Sequence, residues 1–78
     1  MFFSSKSKKA RRLIESKIFE ANSYLDNNYR DNAKGAYREM KELLEEYTSN
    51  GDLKPGDITA LSQEIEHVNT RIQHMGHY

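Results

Sequence analysis

The sequence predicts an all-α protein, a small antiparallel three-helix bundle. In three segments, roughly residues 5–26, 30–49 and 55–75, apolar side chains recur every three or four positions, as they do on one face of a helix. Turn-forming residues separate the segments, and alternation of apolar and polar residues never persists long enough to indicate a strand. A chain of 78 residues can bury one hydrophobic core but not two. We therefore expect residues 1–78 to form a single helical domain.

The first predicted helix begins at Ser5 or Ser7 and ends at Asp26, where the Asp-Asn-Asn run favours local hydrogen bonds that compete with the helix. Its apolar stripe consists of Ala10, Ile14, Ile18, Ala21 and Leu25, with Leu13 and Tyr24 on its flank. Residues 1–9 form a basic N-terminal arm. Either this arm frays into solvent, or the helix reaches back far enough to bring Phe3 near the face of Ile14.

The second predicted helix spans residues 30–49, and Asn50-Gly51 ends it with Gly51 as a left-handed C-terminal cap. Its stripe consists of Ala33, Tyr37, Met40, Leu44 and Tyr47, widened by Ala36 and Leu43. Gly35 lies inside this helix, where glycine costs about 1 kcal/mol relative to alanine. Arg38, Glu42 and Glu45 lie opposite the stripe, which indicates a solvent-facing side.

The third predicted helix has the clearest start in the chain. Pro55 suits the first helical position, Asp57 suits the first turn, and Leu53 and Ile58 have the spacing of a hydrophobic staple. The apolar positions then recur without interruption: Ile58, Leu61, Ile65, Val68, Ile72 and Met75. This heptad seam predicts a helix of residues 55–75 that Gly76 terminates.

The charges are balanced overall but unevenly distributed. The chain has 12 basic and 12 acidic residues, and six of the basic residues stand against one acidic residue within residues 1–17. The candidates for contact with an anion or a nucleic acid are Lys6, Lys8, Lys9, Arg11 and Arg12. Such a cluster can contact phosphates without sequence specificity. It contains no aromatic stacking residue, however, and the pI of the whole chain is near 6.8.

Catalysis and metal binding find little support in the sequence. There is no cysteine, which excludes a disulfide framework and a thiolate zinc site and fits a reducing compartment such as the cytoplasm. No catalytic motif or phosphate-binding glycine loop is present. His67 and His74 point away from the seam, and His77 has no carboxylate beside it. We therefore expect no enzymatic activity, no cofactor and no metal ion.

Phe19 has no evident use in the core. It lies about 140° around the first helix from Ile14, since each residue turns the helix by about 100°. Exposed aromatic residues beside arginine are enriched at protein interfaces. Phe19, with Leu13 and Arg12, is therefore the candidate protein-interaction site.

These observations predict a non-enzymatic interaction or regulatory module that docks a helical face on a protein partner or on a second copy of itself. Monomer and dimer remain alternatives. The competing interpretation is a small nucleic-acid-associated protein that uses the basic arm. No membrane association is expected, because the longest apolar run, residues 1–3, is far shorter than the ~20 residues that a spanning helix needs, and three apolar residues anchor only weakly to a membrane surface.

Overall fold

The computed structural model describes the backbone of residues 2–75 and the side chains of residues 7–75. It is an all-helical bundle of three helices, as the sequence predicts, with each helix packed against the other two. The helices are α1 (Phe2–Asp26), α2 (Arg30–Ser49) and α3 (Pro55–Met75). Helix α2 runs antiparallel to α1 and α3. The bundle is elongated, with principal extents of 49 × 17 × 15 Å.

The bounds predicted for α2 and α3 are confirmed, whereas α1 begins at Phe2 and not at Ser5 or Ser7. No proline or glycine lies within residues 2–9, so nothing in this segment interrupts a helix. The hydroxyl of Ser7 donates a hydrogen bond to the carbonyl oxygen of Asp52, at 2.8 Å. Residues 2–9 of the basic arm are therefore the first part of α1. The terminal glycine predicted at position 76 lies outside the described residues.

The core is a single cluster of apolar side chains between the three helices. Its buried members are Ala10, Ile14, Ile18, Ala21, Leu25, Ala33, Ala36, Met40, Leu53, Leu61, Ile65, Val68 and Ile72. The entire predicted stripe of α1 is buried, and so are the four central positions of the α3 seam. Helix α2 is less evenly covered, because no side chain beyond Met40 in this helix is fully buried. Its later stripe residues Leu43, Leu44 and Tyr47 pack half-buried against the cluster.

Helices α1 and α2 end in the same way, with a residue in the left-handed conformation. Asn28 follows α1 with φ of 65°, and Gly51 follows α2 with φ of 74°. After α1, the amide of Tyr29 donates to the carbonyl of Tyr24 at 2.7 Å, and the amide of Asp52 likewise donates to the carbonyl of the residue five positions earlier, at 2.9 Å. This is the Schellman pattern, which satisfies helix carbonyls that would otherwise lack donors. The predicted role of Gly51 is confirmed.

The start of α3 is built as the sequence predicts. Pro55 is its first residue, and the amide of Ile58 donates to the carbonyl of Lys54 at 3.0 Å. Leu53 is buried, and Ile58 packs half-buried against the core, in the positions of a hydrophobic staple. Asp57 lies in the first turn, where its negative charge interacts favourably with the positive end of the helix dipole.

Polar side chains connect the helices at their edges. Arg71 of α3 donates to Asn22 Oδ1 at 2.9 Å and to Asp26 Oδ1 at 2.7 Å, both on α1. On the other flank of α1, Lys17 Nζ lies 2.7 Å from Glu39 Oε2 of α2. The hydrogen bond with Glu39 raises the pKa of Lys17 above its ordinary value. These links join α1 to α3 on one flank and to α2 on the other.

Candidate protein-interaction surface

Phe19 is the most exposed large apolar side chain within the described residues, with 75% of its surface accessible. Its exposure follows from the helix, because Ile14, Ile18 and the other stripe residues occupy the side of α1 that faces the core. We define the α1 outer face as the residues that share the opposite side of this helix with Phe19: Arg12, Glu15, Ser16, Phe19, Ser23 and Asp26. The prediction that Phe19 lies outside the core is confirmed.

Charged groups lie at both ends of the α1 outer face. Arg12 is exposed one heptad before Phe19, and Asp26 is exposed one heptad after it. Seven residues of helix rise by about 10.5 Å, so each charge is about that distance from Phe19 along the axis. Between them, Ser16 and Ser23 place small side chains one turn before and one turn after the aromatic ring. The face therefore has an aromatic centre, a positive charge towards one end with Glu15 beside it, and a negative charge at the other end.

Leu13 does not share this face. It lies about 120° around the helix from Phe19, because the two positions are six residues apart. Leu13 is 42% exposed and lines a shallow groove between α1 and α2, together with Leu43 and Lys17. Carboxylates of α2 rim this groove at Glu39, Glu42 and Glu46. Of the three predicted interaction residues, the structure places Phe19 and Arg12 on one face and Leu13 in another environment.

The basic residues predicted to contact anions are also divided. Lys8, Lys9 and Arg12 are exposed, and none of them forms an ion pair with a residue whose side chain is described. Arg11 turns toward α3, where its Nη1 lies 3.6 Å from Asp57 Oδ1. The Nε of Arg11 is buried and has no hydrogen-bond acceptor among the described residues. The side chain of Lys6 lies outside the described part of the structure.

A groove between α2 and α3 was not identified from the sequence. The larger of two cavities along this groove has a volume of about 450 Å³. Its lining residues are Lys34, Tyr37, Arg38, Lys41, Glu42, Glu45, Asn69 and Ile72. The Nζ of Lys41 lies 5.2 Å from the centroid of the Tyr37 ring, which is a cation–π distance. The spacing of three basic residues at positions 34, 38 and 41 is the signal that could have indicated this side of α2. The apolar area of the groove is broken by these charged side chains.

The histidines form no cluster with acidic side chains within the described residues. His67 and His74 are exposed, and His77 lies outside that range. Residues 2–75 contain no group of three or more His, Asp or Glu side chains that could hold a metal ion. None of the three helices, over the part described, has the length and hydropathy needed to cross a bilayer.

Comparison with known proteins gives no relative. No protein-family model matches the chain, and no curated protein or solved structure is significantly similar to it. The surfaces of the molecule are therefore the basis for a functional proposal.

Proposed function

We propose that this protein is a non-enzymatic interaction module that docks the α1 outer face on a protein surface. The observation that carries this proposal is the 75% exposure of Phe19. All five positions of the α1 stripe are buried, so the core does not need this aromatic side chain. Large aromatic residues contribute much of the energy at the centres of protein interfaces, because they bury a large area with little loss of side-chain freedom.

The charges of the α1 outer face support a protein partner over a polyanion. A phosphate backbone selects a run of positive charges, whereas this face includes Glu15 and ends in Asp26. Arg11 is held by Asp57 and Glu15, which reduces its contribution to a basic surface. A surface with one positive and one negative end instead suits a partner that presents the opposite pattern.

Nucleic-acid binding is the second candidate function, and one observation favours it. Lys8, Lys9 and Arg12 are exposed and lie within about 100° of one another around α1. If these three side chains contact phosphates of a duplex, the logarithm of the binding constant should fall with the logarithm of salt concentration with a slope of about −3. Docking through Phe19 should be far less sensitive to salt, because it depends on apolar contact.

The test compares two apolar-to-serine variants on the same helix. Tagged wild-type, Phe19→Ser and Leu13→Ser proteins are used to capture partners from the native host at low and high salt, and the captured proteins are identified by mass spectrometry. We expect a partner that binds wild-type and Leu13→Ser proteins at both salt concentrations but is lost with Phe19→Ser.

Circular dichroism must show that both variants remain folded at the temperature of the capture experiment. An unchanged set of captured partners in a folded Phe19→Ser variant, together with unchanged self-association, would contradict the proposal. Loss of every captured molecule at high salt, together with recovery of nucleic acid at low salt, would favour the second candidate function instead.

A further inference from the structure

We infer that the partner of the α1 outer face is a second copy of this chain, bound with the two α1 helices antiparallel. The inference rests on the proposed function, since it requires that the face docks on protein. Its basis is the even spacing of Arg12, Phe19 and Asp26, which lie one heptad apart on the same side of α1. A two-fold symmetric interface must be complementary to itself, and few surfaces meet that condition.

The α1 outer face is complementary to itself about a two-fold axis that passes beside Phe19. Such an axis brings the two Phe19 rings together and places Arg12 of each copy opposite Asp26 of the other copy. The match follows from the spacing, because both charged residues are about 10.5 Å from Phe19 along the helix. One symmetric interface would thus contain an aromatic pair at its centre and two ion pairs, one on each side.

The same charges exclude the parallel arrangement. Parallel α1 helices would place Arg12 against Arg12 and Asp26 against Asp26, and they would also bring together the exposed side chains of Lys8 and Lys9. Like charges that face each other across an interface disfavour it. In the antiparallel arrangement the basic N-terminal ends of the two helices lie far apart. The charge pattern therefore selects the direction as well as the partner.

The side chains on the face leave room for this contact. Ser16 and Ser23 are small and lie one turn on either side of Phe19, so an aromatic ring from the second helix can lie over one of these serines, beside Phe19. Asp26 Oδ1 accepts from Arg71, yet the Asp26 side chain is 67% exposed. Its carboxylate can therefore accept a further hydrogen bond from Arg12 of the second copy, while its link to α3 is kept.

The interface would be small. The segment from Arg12 to Asp26 is about 21 Å long, and one face of a helix of that length buries much less than the ~800 Å² per partner of a standard interface. We therefore expect a weak, reversible dimer, with a dissociation constant on the order of 0.1–1 mM. Such a dimer is populated where the chain is concentrated and dissociates on dilution.

The experiment is a charge-reversal series in the full chain, measured by sedimentation equilibrium and by NMR chemical shifts on dilution. Arg12→Asp and Asp26→Arg should each weaken self-association by about tenfold, because each replaces two attractive pairs with two repulsive ones. The double variant Arg12→Asp/Asp26→Arg restores both pairs with reversed sign and should dimerise as the wild-type protein does. Leu13→Ser, on another side of α1, is the matched control and should leave the dissociation constant unchanged.

Restored dimerisation of the double variant would distinguish an interface between two copies from damage to the fold of one chain. Asp26→Arg also breaks the link to Arg71, but Arg12 is about 21 Å from that link along α1, so Arg12→Asp cannot repair it within one chain. A double variant that dimerises no better than the single variants would overturn the antiparallel arrangement. Stronger association of Arg12→Asp alone would overturn it as well.

The outcome also distinguishes this inference from the proposed function. A wild-type chain that stays monomeric at 2 mM would overturn self-association. If Phe19→Ser still loses a captured protein in that case, the α1 outer face docks on a different protein and the proposed function stands. If Phe19→Ser changes neither self-association nor capture, both are wrong.

Discussion

Replacing Ile65 with alanine is expected to lower the free energy of unfolding by about 3 kcal/mol. Ile65 is 3% exposed, at the centre of the α3 seam. The substitution removes three buried carbon atoms, worth about 0.8 kcal/mol each, and leaves a cavity whose lining loses contacts. A domain of this size has a total stability of about 4–12 kcal/mol, so the change is a large fraction of it. The melting temperature should fall by roughly 12–24 °C.

Phe19→Ser removes a larger side chain but should cost much less. Phe19 is 75% exposed, so only about a quarter of its surface is lost from contact with the protein. With about 200 Å² for a phenylalanine side chain, that quarter is about 50 Å² and contributes at most about 1.2 kcal/mol. Phenylalanine and serine have similar helix propensities, so the backbone adds little to the difference.

Urea denaturation followed by circular dichroism measures both variants against the wild-type protein. The chain should be kept near 10 µM, where self-association does not contribute to stability. Equal slopes of unfolding free energy against urea would show that the variants unfold from comparable native states. A loss for Phe19→Ser as large as that for Ile65→Ala would show that Phe19 belongs to the core, and the argument for the α1 outer face would then be wrong.

Three further changes test the backbone and the edges of the bundle. Gly35→Ala should raise the unfolding free energy by about 1 kcal/mol in the same urea assay, because Gly35 is inside α2 and an added Cβ would meet no atom within 4 Å. Gly51→Ala should lower it by a similar amount, because φ at Gly51 is 74°; a neutral result would contradict the role of this cap. Interaction with Glu39 raises the pKa of Lys17, so its stabilisation is fully present below the ordinary value of 10.5 and is lost as pH rises above it. As pH rises above that value, the unfolding free energy of Lys17→Met should therefore fall by less than that of the wild-type protein. Parallel profiles of unfolding free energy against pH would refute the stabilising role of the Lys17–Glu39 pair.

The helix bounds and most of the core could be predicted because they depend on local spacing. Ile14 and Leu61 are buried because apolar residues recur every three or four positions on their side of the helix, and this pattern is visible in one segment at a time. Burial within α2 could not be predicted in this way. Met40 is fully buried and Tyr47 only half-buried, although both belong to one stripe. Which of them is covered depends on how the three helices pack together, and the pattern within α2 does not contain that information.

In the candidate site too, features set within one helix could be predicted from the sequence, whereas features set by the packing of helices could not. The exposure of Phe19 follows from its angle to Ile14, since both lie on one helix. The surroundings of Leu13 depend on where α2 lies, and its neighbour Leu43 is 30 residues away in the chain. Ser7 is a similar case, because its hydroxyl donates to the backbone at position 52. Contacts of this kind follow from the packing of whole helices and leave no local pattern in the sequence.

The absence of any buried polar side chain among the described residues affects how the chain selects its topology. Three amphipathic helices can be arranged as a left-turning or a right-turning bundle, and apolar patterning alone does not specify which of the two forms. Polar links on opposite flanks of α1 are among the features that distinguish the two. On one flank Arg71 binds Asn22 and Asp26 and Arg11 lies near Asp57, and on the other Lys17 binds Glu39. In the mirror arrangement α2 and α3 would exchange places, and these partners would face away from each other. Exposed polar links on the two flanks of α1 thus favour the observed handedness, although each contributes little to the free energy of unfolding.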